Sequence, residues 1–237
     1  MLSRFFRNVA FYISAFVFGL AMPVFAFTLA YPGGPSDMYY RVMYEQEMQK
    51  YNKPKNFTLQ AGFSLDNMIQ YIIQGVFIER ASAKDRIIIT ISENVGGVAA
   101  LLLLLEEQIK NSKAFIIMTV DKFGLSCGTY ILAHGNVLVL PNDALLLFHF
   151  GNHTDSTGKS AKTTADGTSI ENRAAYNLAF KQLMPYKSWV TSSEFEKITK
   201  GGDVFLTGAQ ICNKTSGRKV DVLFYTKDGC VIRGLKK

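Results

Sequence analysis

Histidine and cysteine are scarce in this chain of 237 residues, with three of each, and those small inventories exclude much. His134, His149 and His153 have no histidine, cysteine or carboxylate partners at ligand spacing, so no metal site is implied. An odd number of cysteines leaves at least one of Cys127, Cys212 and Cys230 unpaired. Lysine and arginine exceed the acidic residues, 26 to 19, for a formal charge of +7, yet there is no dense basic block and no aromatic-basic interleaving. A nucleic-acid groove needs both, so no nucleic-acid partner is expected. Charge is also missing between Arg7 and Asp37.

That uncharged stretch reads as a targeting segment. Arg4 and Arg7 form a positive start, Val9 to Met22 an apolar core, and Val24-Phe25-Ala26 presents small residues at the positions a signal peptidase reads. Cleavage after Ala26 is one reading. An uncleaved anchor is the other, since Val9 to Leu29 can span a bilayer, with membrane association through residues 5–29. Both place the remainder on the extracytoplasmic side, periplasmic or secreted, or held at the inner membrane. The domain division expected is 1–26 as signal peptide or anchor, 27–56 as an N-terminal extension and 57–237 as one catalytic domain. A hydrophobic content of 48% suffices for one sizeable core.

The stretch Gly124-Leu125-Ser126-Cys127-Gly128 followed by His149 at the end of an apolar run points to a hydrolase. A serine hydroxyl is a poor nucleophile at neutral pH and needs a histidine base, itself oriented by a carboxylate. In an α/β-hydrolase the acid precedes a histidine far downstream. Nothing after His153 could be that histidine, so the order left is serine, histidine, acid. Cys127 is the weaker nucleophile candidate because the motif centres on Ser126. Cys212 with Cys230 is the pair open to disulfide formation in an oxidising compartment; the other reading makes all three cysteines small buried hydrophobes.

Elements alternate along the chain. Helix is expected over Met38 to Tyr51, Ser64 to Ala81 with Ser64 as N-cap, Val98 to Lys110, Ser126 to His134 and Ile170 to Met184, with a shorter helix from Ser192. Strand is expected over Phe57 to Gln60, Arg86 to Ile91, Ala114 to Val120, Val137 to Leu140, Ala144 to Phe150 and Val204 to Leu206, with a closing hairpin around Lys227-Asp228-Gly229. Continuous apolar strands alternating with helices imply a sheet covered on both faces. The Thr-, Ser-, Gly- and Lys-rich residues 153–169 read as a mobile polar surface loop, and 170–199 as a helical insertion.

Four landmarks in order, Gly96-Gly97 ending a strand, Ser126 opening a helix, His149 closing a strand and Asp203 before a short apolar strand, resemble the proteolytic subunit of the Clp protease. That family belongs to the crotonase-like superfamily, with the signal peptide peptidase A family as relatives. The resemblance spans Phe57 to about Asn213. It implies an α/β fold of stacked sheet and helix (a ββα superhelix) and a serine endopeptidase without cofactor. The implied triad is Ser126, His149 and Asp203, with the N–H groups of Gly97 and Cys127 as an oxyanion hole. Gly96 and Val98 would flank a segment that pairs with an extended peptide or protein substrate. The resemblance also implies homo-oligomers formed through the helix from Ile170 to Met184.

Departures from the family pattern are visible. The glycine turn lacks the customary proline and is one residue longer, and Leu125 and Cys127 replace the usual neighbours of the serine. An exported chain has no ATP-driven unfoldase to feed it, so flexible segments and small peptides are the expected substrates. His153 stands as a rival base, read as solvent-exposed, and Asp155 and Asp166 as rival acids. His134 reads as a favourable charge or hydrogen bond at a helix C-terminus. Two other classes remain open: a cytosolic acyl-CoA enzyme of crotonase type, which would need neither Ser126 nor His149, and an inactive Clp-like assembly or binding protein.

Overall fold

The protein's structure is a computed structural model that describes residues 34–154, 157–213 and 215–236. The targeting segment lies outside them. Among the described residues no helix is long and apolar enough to cross a membrane. They form a mixed α/β fold with one eight-stranded sheet and a separate two-stranded one.

The order is α1 (Gly34–Met48), β1 (Lys55–Gln60), α2 (Met68–Glu79), β2 (Arg86–Asn94), α3 (Ala99–Asn111), β3 (Phe115–Leu125), α4 (Cys127–Tyr130), β4 (Val137–Pro141) and β5 (Leu145–Phe148). There follow β6 (Asn152–Thr154), β7 (Ser160–Lys162), α5 (Ile170–Leu183), α6 (Ser192–Thr199), β8 (Val204–Thr207), α7 (Gly208–Cys212), β9 (Val222–Thr226) and β10 (Gly229–Arg233). Strands β1, β2 and β3 pair in parallel, joined by right-sized helical crossovers.

The strand Arg86–Asn94 alternates in burial: Ile87, Ile89 and Ile91 are fully buried, whereas Ile88 and Thr90 on the opposite face are half-buried. Each fully buried isoleucine contributes about 1.5–3 kcal/mol. The inward face packs on Tyr71 and Ile78 of α2 and on Leu101, Leu102, Leu105 and Ile109 of α3. On the other face α1 lays Met48 and Tyr44 against Ile117, Val137, Phe224 and Val231, a second and smaller cluster. The two faces are thus covered unequally, which is why β2 alternates rather than burying every side chain.

Strand β3 is longer than the apolar run alone suggests, because it serves two partners in turn. Ile117 to Thr119 pair with β4, and Phe123 to Leu125 pair with β5. Strand β5 then pairs antiparallel with β8. This fork carries three of the expected site residues to one place.

Several expectations are corrected. The second helix begins at Met68 with Asn67 as N-cap residue; Ser64 Oγ accepts from the N–H of Asn67 at 3.3 Å and closes the turn before the helix. The helix after Ser126 ends at Tyr130 and gives way to a 3-10 turn over Leu132–His134. Residues expected to form a polar loop throughout instead include the hairpin β6–β7, and Thr163 behind it is completely buried. Asn172 ties that segment to α5 through Thr164 and Gly167. Cys212 and Cys230 are disulfide-bonded across 18 residues, joining α7 to β10, while Cys127 is a free buried thiol.

Candidate active site

Strand register places the candidate catalytic groups. Leu125 is level with Leu147 in the parallel β3–β5 pair, and the N–H of Ser126 donates to Leu147 O at 3.1 Å. Phe148 is level with Val204 in the antiparallel β5–β8 pair, so the residue after β5, His149, meets the residue before β8, Asp203. The two side chains close that step: His149 Nδ1 lies 3.2 Å from Asp203 Oδ1. A carboxylate on Nδ1 orients the imidazole and leaves Nε2 to act as the base. Nε2 is buried and has no hydrogen-bond partner among the described residues. An unpartnered buried ring nitrogen is unfavourable by roughly 1–3 kcal/mol, which invites a hydroxyl, a water or a substrate group beside it.

Ser126 sits at a sharp bend, φ 55° and ψ −119°, between β3 and α4, and its side chain makes no capping bond. That region favours glycine, so a serine there holds about 1–3 kcal/mol of backbone strain. The plain N-cap role for Ser126 therefore does not describe it. The short helix behind it is pinned from three sides: Thr129 Oγ1 donates to Gly124 O and accepts from the N–H of Leu147, and Tyr186 Oη donates to Tyr130 O at 2.7 Å. Tyr130 Oη in turn donates to His149 O at 2.8 Å and accepts from its N–H at 3.1 Å. Burial raises both tyrosine hydroxyls far above their usual range, keeping them neutral donors.

Gly96 and Gly97 lie against this bend with φ of +87° and +134°. A Cβ on Gly96 would fall 2.6 Å from Ser126 Cβ and 3.2 Å from the Cys127 nitrogen, so only glycine lets the two backbones approach. Phe63 bridges this turn by donating to Gly96 O at 2.6 Å and accepting from the N–H of Val98 at 2.7 Å. That parallel bridge leaves the N–H of Gly97 unused. The N–H of Cys127, first in its helix, likewise has no partner within the helix. Among the described residues, two donors without partners therefore stand beside the serine. Glycine turn and helix are linked further by Cys127 Sγ, which donates to Gly97 O at 3.3 Å. Burial pushes the Cys127 thiol up to about 11, outweighing that bond, so it is not a thiolate at neutral pH.

Asn94 is a functional candidate that sequence reasoning missed. It is completely buried at the end of β2, where Oδ1 accepts from the N–H of Gly96 at 2.9 Å and Nδ2 donates to Leu59 O at 3.4 Å. The one available signal was an amide side chain closing a buried strand just before two glycines. The rivals fall elsewhere. His153 is half-buried with Nδ1 3.3 Å from Thr163 Oγ1, not solvent-exposed as expected. Asp166 is held below the ordinary carboxylate range first by the Thr164 hydroxyl, and the carboxylate on His149 is that of Asp203. Asp155 lies outside the described residues. His134 does find a charge, but a specific one, with Nε2 3.1 Å from Glu106 Oε1 of α3. Among the described residues no cluster of three or more histidine, cysteine or acidic side chains could hold a metal ion.

Two cavities of about 460 Å³ each meet at Ser126 and His149. One runs past Val98, Leu102, Tyr130 and Leu178 to Gln182 and is lined by no acidic, lysine or arginine side chain. The other is bounded by Val95, Leu147, Gly201, Asp203 and Lys162.

No family model matches this chain, and no curated protein does. Among solved structures it is similar to one titled 1510-N membrane-bound stomatin-specific protease, a serine-to-alanine mutant, at 14% identity and a TM-score of 0.47 over 71% of this chain and 79% of that chain.

Proposed function

We propose that the protein is a serine endopeptidase in which Ser126 attacks the scissile carbonyl, His149 takes and returns the proton, and Asp203 orients His149. The single observation that carries the reading is the pairing of His149 Nδ1 with Asp203 at 3.2 Å while Nε2 stays buried without a partner among the described residues, on a histidine that lines the same cavity as Ser126. The strained bend at Ser126 supports it, because the conformation serves no capping purpose.

The reaction follows from these parts. As His149 Nε2 removes the hydroxyl proton, Ser126 Oγ bonds to the carbonyl carbon and the oxygen gains negative charge. The N–H groups of Gly97 and Cys127 receive that charge; one such donor is worth about 3 kcal/mol. Protonated His149 then gives its proton to the leaving amine, and water repeats the sequence on the acyl-enzyme. The uncharged cavity beside Cys127 and Tyr130 suits an apolar side chain on the acyl side of the bond. Export or anchoring through residues 5–29, self-association through the helix from Ile170 and action without an ATP-driven partner belong to the same proposal. An acyl-CoA enzyme would give neither the strain at Ser126 nor the His149–Asp203 pair any purpose.

Hydrolysis of internally quenched peptides by the full chain tests this. Ser126→Ala should abolish turnover, and Asp203→Asn should reduce kcat by several orders of magnitude with KM little changed. Turnover that survives Ser126→Ala would end the serine mechanism, and an unchanged rate in Asp203→Asn would remove the acid.

A further inference from the structure

The charged cavity has an amine in its wall that the proposed chemistry does not use. Lys162 ends β7 level with Asn152 of β6, three residues beyond His149. Its position is fixed by the chain behind it. Thr163 is fully buried, its N–H donating to Gly151 O at 3.1 Å and its hydroxyl lying 3.3 Å from His153 Nδ1. The ammonium reaches across the cavity mouth to a single long contact, Nζ to Gly201 O at 3.4 Å, and among the described residues it forms no ion pair within 4.0 Å. Asp203, the carboxylate in the same cavity, is directed to His149. Among the described residues, the pocket therefore holds one ammonium with no carboxylate paired to it.

The side of the bond that Lys162 faces follows from proton transfer. The leaving amine must lie against His149, which protonates it, and the acyl half must lie against the amide donors of Gly97 and Cys127. Gly97 and His149 line both cavities, but Cys127 and Tyr130 line only the one, which is assigned to the acyl side, and Leu147, Asp203 and Lys162 only the other, which is assigned to the leaving side. Resting on the peptidase reading, we propose that Lys162 is a specificity residue that selects substrates carrying a carboxylate just after the scissile bond. The group is either an acidic side chain or the substrate's own C-terminal carboxylate; both offer the same acceptor to an ammonium.

Quenched peptides with a common acyl half and leucine before the cleaved bond, differing only in Glu, Gln or Lys at the first two leaving positions, measure the selection with the full chain. An exposed ion pair is weak, but exchanging attraction for repulsion doubles its effect. The Glu peptide should exceed the Lys peptide in kcat/KM by about five- to tenfold at low salt. The preference should lie mainly in KM and shrink in 0.5 M salt, beyond roughly 3–8 Å of screening distance. Lys162→Glu should reverse the order. A second pair of peptides, ending at the first leaving residue as free acid or as amide, separates the two sources. Dependence on the free acid with no effect of Glu identifies the C-terminal carboxylate, and the reverse identifies an acidic side chain.

Equal kcat/KM for Glu, Gln and Lys peptides, in both the natural chain and Lys162→Glu, overturns the role of Lys162 while leaving the peptidase standing. Absence of any hydrolysis together with absence of a serine-directed adduct overturns the peptidase reading, and this inference with it.

Discussion

Replacing Ser126 by glycine should make the protein more stable than replacing it by alanine, the opposite of the usual order. At an ordinary position alanine exceeds glycine by about 0.5–1 kcal/mol, because glycine loses more backbone freedom on folding. Ser126 has φ 55° and ψ −119°, where a Cβ is strained by about 1–3 kcal/mol, and glycine removes that strain. The difference leaves Ser126→Gly ahead by about 1 kcal/mol. Both variants lose the same hydroxyl, which makes no capping bond in any case, so the comparison isolates the backbone. For a chain of this size 1 kcal/mol corresponds to about 2–4 °C in Tm. Calorimetry at neutral pH on the two variants, both oxidised, reads it directly. Should Ser126→Gly melt below Ser126→Ala, the bend is not strained and Ser126 is not held there for chemistry.

Other outcomes follow from particular contacts. Asn94→Ala leaves the N–H of Gly96 without its acceptor, so stability should fall by about 1–3 kcal/mol in urea titration. Its kcat should fall at least about tenfold with a smaller change in KM, as the amide donors shift. Reducing the Cys212–Cys230 bond, which closes a loop of 18 residues, should lower stability by about 3 kcal/mol, seen as a Tm fall of roughly 6–12 °C with dithiothreitol. Asp85 accepts from the N–H of Ser82 at 2.8 Å and lies 3.1 Å from Lys55 Nζ, and these groups hold its carboxyl well below the usual range. Its contribution is present above the unfolded value of about 3.9 and is lost as pH falls toward the lower folded value. Asp85→Asn should therefore lower Tm at pH 7, and the gap to the natural chain should narrow in thermal scans below pH 4.

Much of the fold was legible because the signals are local. The run Arg86 to Ile91, the glycines at 96 and 97 and the turn Lys227-Asp228-Gly229 each carry their own geometry, and strands and helices stand close to where they were expected. What was not legible depends on distant partners. Strand β3 continues to Leu125 because β5 arrives to pair with its second half, and the hairpin β6–β7 forms in a polar stretch because Thr163 is buried behind it. The ends of helix α4 were misread for a related reason: Tyr186, far along the chain, accepts the N–H of Ala133 and breaks the helical run. Ser126, His149 and Asp203 could be listed from order alone, but only the register Leu125 with Leu147 and Phe148 with Val204 brings them together. Asn94 and Lys162 had no such order to give them away, since one acts through a buried amide and the other through a hairpin invisible in composition.

A fluorophosphonate reacts only with a serine whose proton has somewhere to go, so mapping its adduct addresses the central assignment. Intact mass and peptide mapping of the full chain should find one adduct, on the peptide containing Ser126, and none in His149→Ala. An adduct on another residue, or an undiminished adduct in His149→Ala, would contradict a Ser126–His149 mechanism.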